Sequence, residues 1–517
     1  MKRALTLALV TAAVLTGCTT PGPGEPGPEG AARKPSSGNV LRILASSELS
    51  DMAPALDRTR DLTGIDVDPT YMGTLDAVQL LASGKADGKF DAVWLSSNDY
   101  LRLVPGAKKR IVSETPVMSS PVAIGVREEA LGKLGRPPSD VTWKQFEQAV
   151  TERKLTYGMT DPARSHSGFA TLVSVASALS GAQSALTGED IGKARARLKE
   201  FFRGQQLTSG SSGFLAQAYV RRGDVDALLN YESVLAGIPG LTVIRPKDGV
   251  VTADYPLSSL AAAPAAAREN VRRLAETLRT PELQQAVTSR TLRRPVVSGV
   301  TPAPGLDTAR RRELPFPGTR STADELLSSY ENELRRPSRT VYVLDTSGSM
   351  KGERLAALKR ALHGLTGGFR EREEVTLMPF GNGVKSVRTH VVDPAAPRKG
   401  LDAVERDTAA LTASGGTAVY TSLEAAYGQV GGGGRDMFTS IVLMTDGENT
   451  TGAKAADFDR FYRTLGRAER NTPVFPILFG DASRAELSGI AELTGGRLFD
   501  AVNGSLAGAL EEIRGYQ

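Results

Sequence analysis

Three runs in the last third of the chain, around Val341, Ile441 and Val474, are apolar throughout. A strand with one wet face alternates apolar and polar residues; a run apolar on both faces must be covered on both. Helix-like stretches separate these runs, the first with Leu355, Leu358, Leu362 and Leu365 at helical spacing. Residues 338–517 are therefore expected to form a doubly wound, Rossmann-like α/β sheet with helices on both sides.

The first run ends at Asp345, and Thr346-Ser347-Gly348-Ser349-Met350 follows. An acid at a strand's end and two hydroxyls on the next turn aim hard oxygen ligands at one point. Such ligands suit Mg²⁺, with Mn²⁺ or Ca²⁺ as alternatives. Ser414-Gly415-Gly416-Thr417 lets the backbone approach closely and places a hydroxyl just before a helix, and Met444-Thr445-Asp446-Gly447 sets a second acid at another strand end. In a doubly wound sheet these loops meet at one edge. Together they resemble the metal-ion-dependent adhesion site of the von Willebrand factor A domains, with Asp345, Ser347, Ser349, Thr417 and Asp446 matching its five positions. The resemblance implies that hydroxyls touch the metal directly, that the aspartates act directly or through water, and that an acidic residue of a protein or peptide partner completes the shell. Asp436, Glu448 and Asp481 are candidates for supporting those ligands. Metal-activated hydrolysis would need a placed base and a substrate cleft, which no neighbouring residue supplies. His363 is expected at the surface or rim, and Ser347 has no histidine nearby in sequence to activate it. The expectation is a binding protein, not an enzyme.

Residues 39–300 alternate strand runs (VLRILAS, FDAVWLSSND, SPVAIGV) with amphipathic stretches, favouring parallel sheets. The order and spacing of LRILASSEL, YMGTLDAVQLLASGKADGKFDAVWLSS, SSPVAIGVR, VTWKQFEQAV, GMTDPARSHSGFATL, GDVDALLNYES and VIRPKDGVVTADYPL resemble the bacterial extracellular solute-binding proteins of the two-lobed, type II sort. The resemblance implies a periplasmic-binding-protein-like fold with a small solute between the lobes. Loops after parallel strands and helix N-termini make polar and anionic sites. The candidates are Ser46, Ser47, Gly73, Thr74, Ser96, Ser97, Ser167 and Tyr231. The serines and threonines are accounted for equally well as helix N-caps. An oxyanion, a sugar or no ligand at all remain open, and the lobes could serve as a scaffold.

Lys2-Arg3 precedes the apolar run ALTLALVTAAVL and then Leu15-Thr16-Gly17-Cys18. A basic start, a short apolar stretch and small residues mark a secretory signal. The single cysteine directly after Leu-x-Gly resembles the lipobox of bacterial lipoproteins. This implies removal of residues 1–17, acylation of Cys18 and attachment to the cell membrane. Residues 18–38, rich in Pro and Gly, read as a tether. Residues 301–337 read as a surface linker with a short helix from Ser321, its Arg310, Arg311 and Arg312 solvated or forming a partner patch. Gly431 to Gly434 lack the lysine of a phosphate loop and read as a turn.

A length of 517 residues calls for two or three domains. The formal charge of +5 is small for this length and drops by two if the signal is removed, so nucleic acid is not expected as a partner. One cysteine excludes a disulfide within the chain, and three histidines leave little for a zinc site. The expectation is a lipid-anchored surface protein binding a partner through a metal, with the two-lobed region as sensor or scaffold. The alternative is a solute receptor of a membrane transport system carrying an accessory adhesion domain.

Overall fold

The computed structural model describes residues 39–306, 309, 312–366, 373–393, 395–430, 437–502 and 505–516. The signal, Cys18, the tether, Arg310, Arg311, the 431–434 glycines and Asp436 lie outside the described residues.

The first region folds as two lobes, each on its own sheet. In the first lobe the order is Asp66–Met72, Val40–Ser46, Ala92–Trp94, Pro256–Leu260, Ile111–Pro116. Val40–Ser46 pairs in parallel with both of its neighbours, whereas Pro256–Leu260 runs antiparallel to Ala92–Trp94. In the second lobe Ser120–Arg127 plays that antiparallel part against Ala227–Tyr231, beside Tyr157–Thr160 and Gln205–Ser209. Each lobe thus takes its reversed strand from the chain just after it crosses over, at 117–119 and again at 254–255. Two crossing strands join the lobes, and the apolar core is continuous through both.

The connector does not lie on the surface as its prolines and arginines suggest. Leu314 is buried and Phe316 packs on Phe169 and His166. The helix Arg320–Ser329 inserts Ala323 and Leu326 into the same core, touching Asp99–Leu103 of the first lobe and Gly188–Arg203 of the second. A few apolar residues spaced among polar ones suffice once a groove between two lobes is there to receive them. Arg312 is exposed.

In the last region the sheet order is Arg388–Val392, Glu373–Phe380, Ser338–Asp345, Phe438–Thr445, Val474–Leu478, Phe499–Asp500, all parallel except the first. Alternate residues of the central strand feed two cores. Tyr342 and Leu344 meet Leu358, Leu362 and Leu510 on one face; Val341 and Val343 meet Leu423, Tyr427 and Phe458 on the other. From Ser338–Asp345 the chain goes first to the strand on one side and later to the strand on the other. The order therefore reverses at Asp345, the position where doubly wound sheets form their crevice.

The two regions share packing. Phe214, on the second-lobe helix Ser212–Arg222, is half-buried and packs against the core containing Leu344 and Leu510, and Arg497 stacks on its ring at 3.5 Å. Arg336 is buried between them, donating to Gln205 O (2.6 Å) and Met437 O (2.9 Å).

Candidate metal centre and interlobe cluster

Asp345 is buried, with register partner Phe380 on one side and Met444 opposite Leu344 on the other. Its Oδ1 accepts the Ser347 N–H at 2.8 Å and its Oδ2 the Thr445 hydroxyl at 2.7 Å. Ser347 Oγ lies 2.9 Å from Ser349 Oγ, and the Ser349 hydroxyl donates to Asp446 Oδ1 at 2.8 Å. A Cβ added to Gly447 would sit 3.9 Å from Thr417 Oγ1 and 4.0 Å from Ser349 Oγ. Asp345, Ser347, Ser349, Thr417 and Asp446 therefore gather at one sheet edge.

Backbone bonds hold the loops in place. Gly348 N–H donates to Gly415 O and Ser414 N–H to Thr346 O, both at 2.8 Å. Gly415 has φ +85°, a conformation open mainly to glycine, and it lies against Asn382. Asn382 Oδ1 accepts Gly416 N–H (2.6 Å), Thr450 Oγ1 accepts Thr417 N–H (2.9 Å), and Lys385 Nζ donates to Thr346 O and Ser414 O. Thr445, Asn382, Lys385, Thr450 and Arg354 were not singled out by sequence reasoning; Thr445 alone carried a signal, standing next to Asp446 inside the motif. Glu448 is exposed, and His363 is exposed beside Glu405. Asp481 reaches the site through Arg354, which bonds both Asp446 and Asp481.

Burial pushes the Asp345 carboxyl up from its ordinary range; hydrogen bonds from Thr445 and Ser347 oppose this, and the Asp446 charge adds to it. Two carboxylates and three hydroxyls, all hard oxygen, fit a divalent cation, whose charge would relieve that repulsion.

The solute candidates of the first region are also buried, in two groups. In the first lobe Ser46, Thr74 and Ser96 bond one another at 2.8–3.3 Å. In the second, Ser167 bonds Thr160, Ser165 and Ser212. Ser167 is the second residue of helix His166–Ser180 rather than a residue before it. Tyr231 OH lies 3.0 Å from His166 Nδ1, and Tyr231 stands near Glu48 and Ser96. The N-cap account does not hold for Ser97, which stands before the cap residue Asn98 and accepts the Asp99 N–H as a local turn bond, and the cap position at Ser46 makes no side-chain cap bond.

The lobes meet directly. Leu75 N–H donates to Arg164 O at 2.9 Å, and Ser47 Oγ accepts Gly213 N–H at 3.3 Å. A Cβ on Gly73 would lie 2.5 Å from Arg164 O. Gly73→Ala is thus expected to wedge the lobes apart, destabilising the closed form by about 2 kcal/mol. Small-angle scattering should show a larger radius of gyration than wild type; an unchanged radius and melting point would contradict this.

Sequence reasoning missed Glu48, Tyr255 and Arg293. Arg293 is fully buried, bonds Asp51 and Glu48 O, and stacks on Tyr255. Glu48 Oε1, Tyr255 OH and Arg293 Nε make no hydrogen bond. Burial raises Glu48 to about 7.

Two lobes with exchanged strands are thus joined in one polypeptide to a doubly wound sheet with an oxygen cluster at its switch point. Residues 41–290 match the family of bacterial extracellular solute-binding proteins, and residues 338–499 match the von Willebrand factor type A domain; the chain carries one domain of each. Solute-binding domains of this kind are extracytoplasmic. An uncharacterized protein of Synechocystis sp. is 33% identical over 147 residues, 26% of this chain and 33% of that protein, so the chain spans about a third of the length of this curated relative. A periplasmic binding protein of Actinobacillus pleuropneumoniae, solved with fructose-6-phosphate bound, is similar at 15% identity and TM-score 0.48 over 58% of this chain and 99% of its own. A von Willebrand factor type A structure from Catenulispora acidiphila is similar at 22% identity and TM-score 0.30, over 35% and 42%. Among the described residues, no helix is long and apolar enough to cross a membrane.

Proposed function

We propose that this chain is a non-enzymatic lipoprotein, attached to the outer face of the cell membrane through Cys18, that binds a protein or peptide partner through a Mg²⁺-dependent site. The observation that carries the reading is the gathering of Asp345, Ser347, Ser349, Thr417 and Asp446 at the switch point of the sheet, with Asp345 buried. Ser347, Ser349 and Thr417 would supply neutral oxygens and the two aspartates the negative charge. A bound Mg²⁺ offers an exchangeable position that a partner carboxylate can fill. Two aspartates nearly cancel the charge of the ion, so such a link is reversible. The solute-binding domain then acts as scaffold or sensor.

A second reading, a receptor that delivers a small solute to a permease, is favoured by the unpartnered Glu48, Tyr255 and Arg293 atoms buried in the first region. The direct contacts between lobes weigh for the scaffold role.

Calorimetric titration of the whole chain with Mg²⁺ or Mn²⁺ tests the first reading. One site, reversed by a chelator, is the expected result; no heat of binding with either ion would reject it.

A further inference from the structure

Arg354 lies at the start of the helix Glu353–Thr366, directly after the metal-site turn. Its guanidinium donates to Asp446 Oδ2 at 2.7 Å and to Asp481 Oδ2 at 2.7 Å. The Asp446 side chain is completely buried, and its other oxygen is taken by the Ser349 hydroxyl. Both oxygens of this carboxylate are therefore occupied from within the chain. Arg354 itself is 38% exposed, and its second anchor, Asp481, is 86% exposed. One end of the guanidinium thus reaches the buried acid while the other is tied to a rim carboxylate in water.

We propose that Arg354 is an internal counter-cation that competes with the divalent ion for Asp446, so that Arg354 and Asp481 together set how much metal the site requires. The inference rests on the metal-site reading above. A guanidinium and a divalent cation on one carboxylate repel each other at short range, and the Asp446 carboxylate that both would share is fully buried. Metal binding must then turn Arg354 outward along its flexible stem, and breaking its charge-assisted bond to Asp446 weakens the apparent affinity. Asp481 acts in the same sense by holding the guanidinium over the site. That exposed pair is weaker than the buried one and is screened by salt.

Mn²⁺ titration of the whole chain, followed by calorimetry and by the electron paramagnetic resonance signal of the free ion, tests the proposal. Arg354→Gln is expected to bind Mn²⁺ about tenfold more tightly than wild type. Asp481→Asn should shift affinity the same way by a smaller factor. Equal or weaker binding by Arg354→Gln, with wild type still binding, overturns the proposal and leaves the metal site standing; that result would make Arg354 a group that positions Asp446. Failure of wild type and both variants to bind any ion overturns the metal-site reading and the proposal together. Unchanged circular dichroism and melting in chelator confirm that the variants fold.

Discussion

Asp345→Ala is expected to abolish the stabilisation that Mg²⁺ gives the whole chain. A ligand that binds only the folded state adds RT ln(1 + [L]/Kd), about 2.7 kcal/mol at a hundredfold excess over Kd. Wild type should show an increment of that order, and the variant none. In chelator the two should differ far less. The substitution strands the Ser347 N–H and leaves the Thr445 hydroxyl only its longer bond to Gly447 O, which costs stability. It also removes a carboxyl whose charged form is disfavoured by burial and by Asp446, which offsets part of that loss. Thermal melts of both proteins, with and without Mg²⁺, separate the effects. A variant that keeps the wild-type increment would place the ion elsewhere.

The second large effect concerns pH and the first region. Burial raises Glu48 to about 7 from the ordinary carboxyl value of 4.5. Between those values the folded chain holds the proton more tightly than the unfolded chain does. Stability therefore falls as pH rises through the window, by about 3 kcal/mol in total. Glu48→Gln is neutral at every pH and lacks this slope. Asp76 and Asp254, both raised to about 6 by burial, push the profile of both proteins the same way. The informative quantity is thus the difference between variant and wild type, which should grow in favour of the variant by about 3 kcal/mol between pH 4.5 and 8. Denaturant unfolding at the two pH values measures it. A constant difference would mean that Glu48 stays ionised through contact with Arg293.

Two of the three candidate-site loops were legible as short local patterns at the end of an apolar run, and the third, at 414–417, as a Gly-Gly pair with a hydroxyl just before a helix. Parallel strands must bring such ends to one edge, so the meeting of Asp345 and Asp446 follows from the covering of the strands, whereas Thr417 is brought there by a loop between two helices that bonds Gly348 and Thr346. The solute-binding fold was legible in the order of its segments. What could not be read were pairings between distant residues whose own neighbourhoods are unremarkable. Arg354 reads as an ordinary helix arginine until Asp446 and Asp481 are brought beside it. The serines of the first region have the composition of caps, yet Ser46 and Ser167 spend their hydroxyls on other hydroxyls, which only lobe packing decides. The connector misled for a related reason. Leu314 and Phe316 are isolated among prolines and charges, and periodicity gives no weight to single residues. Glu48 and Arg293 stand 245 positions apart, and only the chain's return to the first lobe joins them.

Phe214 sits within the first module's sequence, yet its half-buried ring packs against the core of the second module. A segment that lends a ring to its neighbour is not a cassette that can be exchanged alone. Replacing the terminal domain would remove Arg497 and expose more of that ring, so a graft must supply a surface that covers Phe214.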